Sequence, residues 1–419
     1  MNVIIILEHR FTRTPDGRVW TQTTFPYSFW LRYLKVFDRV TVVARVRDVP
    51  SVANDWQLAD GDMISFAAVP NYLGPLQYLR KVFQVKQAVR NALGESDAVI
   101  IRAPSPLSGS MLPLLLGNNR PFAVEVVADP YDVFAPGSID HPLRAFFRWS
   151  FTRNLRHVCN KAVAAMYVTK FALQQRYPCP NLSEGISDVV LPEQSIVAAP
   201  RPLAQKLDAA TLVFIGTMSQ LYKAPDILIK AVAVCVKGGL NIQLRMLGDG
   251  QYRGQLEDLA KAENVSDRVS FLGQLASGSA VQQQLDDADL FVLPSYQEGL
   301  PRAMVEAMAR ALPCLGTTVG GVPELLPSED LVSPGDVEAL ARKIREIVTN
   351  PARMAQMSAR NLETAREYRD EVLQERRTDF YRHVRSQTEV WLSAKKRGLL
   401  NSVPTCSEFG HQSSFKFWS

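Results

Sequence analysis

Two carboxylates bracket the start of one helix-length segment, Leu293-Pro-Ser-Tyr-Gln-Glu-Gly-Leu-Pro-Arg-Ala-Met-Val-Glu306. The run Asp289–Leu293 reads as a strand and Pro301 suits a first helical position, so the residues between them form a loop. Free N–H groups at that helix start, together with its dipole, make a seat for an anion or for sugar hydroxyls. Glu298 falls just before the helix, and Glu306 falls one and a half turns into it, about 8 Å from its start. Two acceptors so spaced can hold two hydroxyl-bearing parts of one extended ligand, such as the hexose and the ribose of a nucleoside diphosphate sugar. As an isolated pair they would read as solvated surface charges. The strand–loop–helix setting favours the binding reading.

The other candidate segments carry less. Gly248-Asp-Gly250 follows a strand, but Arg253 stands where a dinucleotide fingerprint needs its third glycine, so no Rossmann cofactor is expected. Asp286-Asp-Ala-Asp289 resembles a metal-binding pair, yet it runs from a helix into a strand. There Asp287 becomes helix surface and Asp289 a strand cap, whereas hard cations need oxygens converging on a loop. We expect no metal. The segment Glu8–Gly17 reads as a loop after the first strand, offering Arg10, Arg13 and Gly17 to a phosphate or an acceptor, with His9 a hydrogen-bonder rather than a base. The aromatic stretch Phe25–Phe37 reads as a core helix. His141–Arg156 combines four arginines with Phe146, Phe147, Trp149 and Phe151, a composition shared by an interfacial helix on anionic lipid and by an ordinary amphipathic helix.

The elements that must position these residues recur along the whole chain. Short apolar runs at Val3–Leu7, Val40–Ala44, Ala98–Arg102, Phe122–Val127 and Ala162–Val168 form one strand series. Leu212–Gly216, Ile242–Leu247, Val269–Leu272, Leu290–Pro294 and Pro313–Thr317 form a second. Strands alternating with helix-length segments specify parallel sheets covered on both faces, an α/β fold with ligands outside the strands' carboxyl ends. The polar, proline-bearing stretch Ala198–Asp208 separates the series as a linker. Residues 364–398 read as a long charge-rich helix, and 401–419 as a loose tail.

The 419 residues imply more than one domain, and 47% hydrophobic with 21% charged residues exclude a disordered or fibrous chain. No apolar run reaches the ~18 residues of a membrane span. The opening Met1–Glu8 lacks a basic n-region and a cleavage site, so it reads as a first strand. Five cysteines, an odd number without metal-ligand spacing, fit a reducing cytoplasm. Residues 1–204 hold 22 Lys and Arg against 16 Asp and Glu, whereas the remaining 25 basic and 26 acidic residues nearly cancel. The basic half suits an anionic partner, a membrane surface or a phosphorylated acceptor. With no basic arm and no recognised module, nucleic acid is not expected.

Glu298 and Glu306, with seven residues between them, resemble the E-x7-E motif of glycosyltransferase family 4, whose members have the GT-B fold and retaining chemistry. Four further segments match in family order: Leu212–Asp226 as the first C-domain strand and phosphate loop, Leu244–Gly250 as the glycine turn, Arg268–Gly273 as the strand facing the nucleotide base, and Thr318–Glu324 as the following glycine turn. The resemblance is strong over 211–350 and architectural only before that. It implies two Rossmann-like domains facing across a cleft: an acceptor-side domain at 1–200, a nucleotide-sugar-binding domain at 208–375, and a C-terminal helix and tail at 376–419.

By the same resemblance Glu298 binds the donor sugar, helped by Gly299 and Leu300, Glu306 takes the ribose, and Lys223 neutralises the pyrophosphate. Gly216, Thr217, Gly248, Gly250, Phe271 and Arg302 line the donor site. Two departures stand out. Thr217 occupies the position where the family usually has an arginine, and Lys-Ala-Pro at 223–225 replaces the commoner Lys-Gly. Asp129 lies where many members place a sugar-contacting histidine and some relatives an aspartate; it either stands beside the anomeric centre or caps the loop before Pro130. The implied activity moves a hexose from a UDP- or GDP-sugar, without metal or cofactor, to a lipid-diphosphate-linked or oligosaccharide acceptor in bacterial surface polysaccharide synthesis, at the cytoplasmic membrane face. The alternatives are a sugar-nucleotide epimerase or hydrolase, and a degenerate nucleotide-binding partner protein.

Overall fold

The fold was analysed in a computed structural model, which describes residues 1–398 apart from 23, 96, 136–137, 139–140, 203–207 and 277. The expected tail, Cys406 and part of the expected linker fall outside the described residues. In chain order the elements are β1 (Val3–Arg13), β2 (Val19–Thr21), α1 (Tyr27–Leu34), β3 (Val40–Asp48), β4 (Gln57–Leu58), β5 (Ile64–Pro70), α2 (Gly74–Asn91), β6 (Ala98–Ala103), α3 (Pro106–Gly117), β7 (Ala123–Val126), α4 (Pro130–Val133), α5 (Arg144–Lys161), β8 (Ala164–Tyr167), α6 (Ala172–Arg176) and β9 (Leu182–Gly185). There follow β10 (Ala210–Ile215), α7 (Pro225–Lys237), β11 (Ile242–Leu247), α8 (Arg253–Ala262), β12 (Val269–Gly273), α9 (Ser279–Asp286), β13 (Leu290–Leu293), α10 (Arg302–Ala309), β14 (Cys314–Thr317), α11 (Val322–Leu325), β15 (Leu331–Val332), α12 (Val337–Val348), α13 (Pro351–Arg366) and α14 (Asp370–Lys396). The expected α/β class is what is found. The stretch expected as one helix from 364 is two, parted at Glu367–Arg369 where the Asp370 N–H bonds the Leu191 carbonyl.

By compactness the chain forms one unit from residues 1–123 with 381 onward, and a second from 124–380. The linker-based division at 200 is a separate, sequence-based one. In the first unit β1 pairs in parallel with β3 and β6, and β3 with β5. Its continuous Val-Ile-Ile-Ile-Leu run is buried on both faces, as the central strand of a parallel sheet must be. The segment expected as a loop over Glu8–Gly17 is not one. After a register shift between Ile6 and Arg10, β1 continues to Arg13 beside β3 and turns back into antiparallel β2, so only Thr14–Arg18 form the turn. Arg10 is an exposed strand residue, Arg13 is paired to Asp48 at 2.7 Å, and Gly17 sits at φ +84° in the turn. A cavity of about 250 Å³ lies beside Arg13, Gly17, Asp60 and Phe66.

The aromatic stretch is core, as expected: Trp30 and Tyr33 are fully buried, and Trp30 contacts Phe25, Phe29 and Phe66. His9 sits against Phe11 and Phe25, its Nε2 3.3 Å from the Thr21 hydroxyl. Burial, then the positive charges of Arg45 and Arg10, push its imidazole from 6.5 down to about 4. The unfolded chain therefore takes up a proton that the folded one refuses. His9's contribution is complete above pH 6.5 and is lost as pH falls toward 4, an effect of up to about 3 kcal/mol. Urea unfolding of His9→Asn should show a flatter pH dependence than the parent over that window. An unchanged slope would contradict the assignment.

In the second unit β7, β8 and β9 lie side by side, and a six-stranded parallel sheet runs in the order β12-β11-β10-β13-β14-β15. Its strand order reverses at β10 and β13, the topological switch point at which sheets of this kind hold their ligands.

Candidate active site

The loops at this switch point bring together residues far apart in sequence. After β10 the chain passes Gly216 and Thr217, makes a 3₁₀ turn over Leu221–Lys223, and enters α7 through Ala224 at φ +52°. This is the left-handed conformation that glycine adopts freely and alanine does not, and it stands where the family pattern has Lys-Gly. After β13 the chain crosses the loop Pro294–Pro301 and enters α10. The Tyr296 N–H bonds the Tyr222 carbonyl at 2.8 Å, tying the two loops together. Lys223 Nζ then donates to Glu298 Oε1 at 2.6 Å, and the buried Ser295 hydroxyl donates to the same oxygen at 2.6 Å. The Lys223 and Glu298 side chains are 17% and 6% exposed. Both donors fall on Oε1 and neither on Oε2.

Glu306 projects from the second turn of α10, half-buried and without a hydrogen-bond partner among the described residues. Burial raises its pKa, and the Arg302 guanidinium four residues earlier pulls it back down. A half-buried carboxylate without a hydrogen-bond partner among the described residues keeps its acceptor capacity free.

The glycines expected at the site are main-chain contact points. A Cβ on Gly248 (φ +128°) would strike the Gly216 carbonyl, and one on Gly250 would strike the backbone of Met218 and Ser219. One on Gly320 (φ +50°) would strike the Glu298 carbonyl, and one on Gly299 would press the Val127 carbonyl at 3.0 Å. The Gly321 N–H bonds the Gly299 carbonyl at 2.6 Å, and the Thr317 hydroxyl bonds the Ser295 carbonyl at 2.7 Å, so the β14 loop braces the β13 loop. Leu300 is buried beneath Gly321. Thr217 supplies no cation; its hydroxyl accepts the Ser219 N–H at 3.1 Å. Phe271 is half-buried, its carbonyl 3.2 Å from Arg253, which also pairs with Asp249 at 3.2 Å and Glu257 at 2.8 Å.

Asp129 takes the capping duty. Its carboxylate accepts the Tyr131 N–H at 2.9 Å as the N-cap of α4 and is also bonded by Tyr177 and Arg176. Arg176 reaches Asp132 as well, at 3.2 Å. With Asp129 only 4% exposed, its acceptor capacity is engaged by the fold. The acidic run before β13 is likewise accounted for: Asp286 pairs with Arg310, Asp287 lies 3.7 Å from Arg245, and Asp289 accepts the Thr211 N–H at 2.8 Å. No group of three or more metal-capable side chains is found among the described residues.

Two contributors carry no local signal. Ser295 is an ordinary loop serine until Glu298 is placed over it. Glu324 accepts the N–H groups of Lys170, Phe171 and Ala172 at 2.6, 2.9 and 2.6 Å, satisfying the orphan donors at the start of α6 from more than 150 residues away.

Comparison with known proteins is consistent with this geometry. The glycosyl transferases group 1 family matches residues 209–350. Protein CapJ of Staphylococcus aureus is 30% identical over 331 residues, 77% of this chain and 81% of that protein. The putative colanic acid biosynthesis glycosyltransferase WcaL of Escherichia coli K12 is 30% identical over 179 residues, 41% and 43% of the two chains. Among solved structures, Anabaena HepE in complex with UDP-glucose superposes with a TM-score of 0.57 over 94% of this chain and all of that one, at 17% identity. Ordered strands, a parallel-sheet switch point carrying Lys223, Glu298 and Glu306, and relatedness along most of its length identify this chain as a member of the group 1 glycosyl transferases, with the GT-B fold.

Proposed function

We propose that the protein transfers a hexose, with retention of configuration, from a UDP- or GDP-linked donor to a saccharide acceptor. In this reading the acceptor is carried on a lipid diphosphate, and the reaction belongs to bacterial surface polysaccharide synthesis. Transfer needs no metal and takes place at the cytoplasmic face of the inner membrane, with residues 1–200 on the acceptor side and 208–375 on the donor side. The observation that carries the reading is the cluster of Lys223, Ser295 and Glu298, with Oε2 of Glu298 and the Glu306 carboxylate free of hydrogen bonds among the described residues. HepE's complex with UDP-glucose and the naming of WcaL support the donor and pathway classes.

Glu298 Oε2 would accept a donor-sugar hydroxyl and Glu306 the ribose hydroxyls, with Gly299 and Leu300 backbone at the sugar and Gly216, Thr217, Gly248, Gly250, Phe271 and Arg302 around the nucleotide. As the bond from the anomeric carbon to the diphosphate breaks, Lys223 offsets the charge growing on the leaving oxygens. That oxygen takes the proton of the attacking acceptor hydroxyl on the same face, so no separate protein base is required. The chain's work is positioning and charge stabilisation.

Thermal-shift binding against a panel of UDP- and GDP-sugars, with and without magnesium, tests the donor site. A donor at ~100 times its dissociation constant should add ~2.7 kcal/mol to the folded state. The shift should vanish in Glu306→Ala, and in the parent it should weaken as pH falls through Glu306's raised pKa, because only the carboxylate accepts both hydroxyls. No shift with any donor would mean that Thr217 marks a lost or acceptor-dependent donor site, and the non-enzyme reading would move ahead. Sugar release without acceptor would favour the hydrolase or epimerase.

A further inference from the structure

The proposed function puts the reaction at a membrane face, and two helices bear on which surface meets it. The aromatic-basic helix α5 uses most of its cations internally: Arg144 donates to the Phe134 carbonyl, Arg148 to Tyr131 and Arg156 to Arg176, at 2.8–3.0 Å. Helix α2 is the opposite case. Leu76, Leu79 and Phe83 are 76%, 64% and 83% exposed, with Leu73 exposed just before the helix. At about 100° per residue those three fall within an arc of about 60°, forming one stripe over two turns. The far side buries Val85 and Val89. Arg80 and Lys86 flank the stripe and Arg90 continues it, and none of the three has a hydrogen-bond or ion-pair partner among the described residues. Lys81 alone is turned inward, onto the Asn71 carbonyl at 2.6 Å. The helix contains no Asp or Glu.

We propose that α2 is the membrane-docking face, seating Leu76, Leu79 and Phe83 among the acyl-chain ends of an anionic bilayer while Arg80, Lys86 and Arg90 meet its phosphates. The inference rests on the peripheral-membrane part of the reading above and not on the donor chemistry. A water-facing helix does not keep two leucines and a phenylalanine in one stripe, and cations unpaired among the described residues, on a helix without acids, select a negative surface. A protein groove would need matching acids; the bilayer supplies the charge and the apolar volume together.

The test is co-sedimentation of the full chain with vesicles of phosphatidylcholine alone and with phosphatidylglycerol added. The parent should bind the anionic vesicles, less so at high salt. The variant Leu76→Ser/Leu79→Ser/Phe83→Ser should lose about tenfold or more in vesicle affinity, and Arg80→Ser/Lys86→Ser should lose the preference for anionic lipid. Phe146→Ser/Trp149→Ser on α5 should bind as the parent does. Donor thermal shifts measured on each variant show that it is folded and keep failure of this inference separate from failure of the donor site. Equal binding by the α2 variants, no binding by the parent, an α2-dependent dimer in light scattering, or binding gained only on removing residues 399–419 would each overturn the proposal.

Discussion

Lys223→Met should abolish transfer and weaken the empty protein at the same time. The ammonium is the cation bonded to Glu298, whose side chain is 6% exposed. Without it a carboxylate is left out of water with only the Ser295 hydroxyl as support, and stability should fall by about 3 kcal/mol. Activity should drop by about a thousandfold or more, because the charge of the departing diphosphate loses its counter-charge. Glu298→Gln should match that loss of turnover while keeping part of the donor-induced thermal shift. The double variant separates the two roles. Its unfolding free energy in urea should recover part of what Lys223→Met lost, giving a coupling of about 1–3 kcal/mol, since no unpaired charge remains. Additive destabilisation would show that the 2.6 Å pair does not hold in solution.

Glu324→Ala should be the most destabilising single change outside the Lys223–Ser295–Glu298 cluster. Three N–H donors at 170–172 end on that one carboxylate. Hydrogen bonds to a charged acceptor count for more than neutral ones, and removing the acceptor strands all three donors, so about 2–4 kcal/mol should be lost. Glu324→Gln keeps a single acceptor oxygen and should fall between parent and alanine. Hydrogen exchange adds a local readout: the amides of Lys170, Phe171 and Ala172 should lose protection in Glu324→Ala before the rest of the unit does. Unchanged protection at these three amides would show that the carboxylate is not what shields them.

What could be read from the sequence, and what could not, follows from chain separation. Strand identity in β1, β10 and β13 was legible because a buried parallel strand must be continuously apolar. The Glu298–Glu306 spacing was legible because eight positions of loop and helix fix it locally. The Lys223–Glu298 bond joins residues 75 apart, and it exists only once β10 and β13 become neighbours in the sheet. Glu324 reaches still further, and nothing near it in sequence announces its target. Asp129 was ambiguous for a related reason: the partners that settle its capping duty, Arg176 and Tyr177, come from a segment nearly 50 residues on. The end of β1 was misjudged because Glu8, His9 and Arg10 are polar. A strand that passes through a register shift keeps its ladder even where its alternation breaks.

The glycine contacts bear on how this enzyme could change its substrate. At Gly248, Gly250, Gly299 and Gly320 a side chain would run into another loop's backbone, so mutation has almost nothing there to act on without prising the loops apart. Variation is channelled into side chains that are not wedged between two backbones, such as Arg302, which is exposed at the start of α10. A library aimed at new donor preference should therefore leave the glycines fixed and diversify those positions. The scaffold tolerates drift where it reads the ligand and resists it where it holds its own shape.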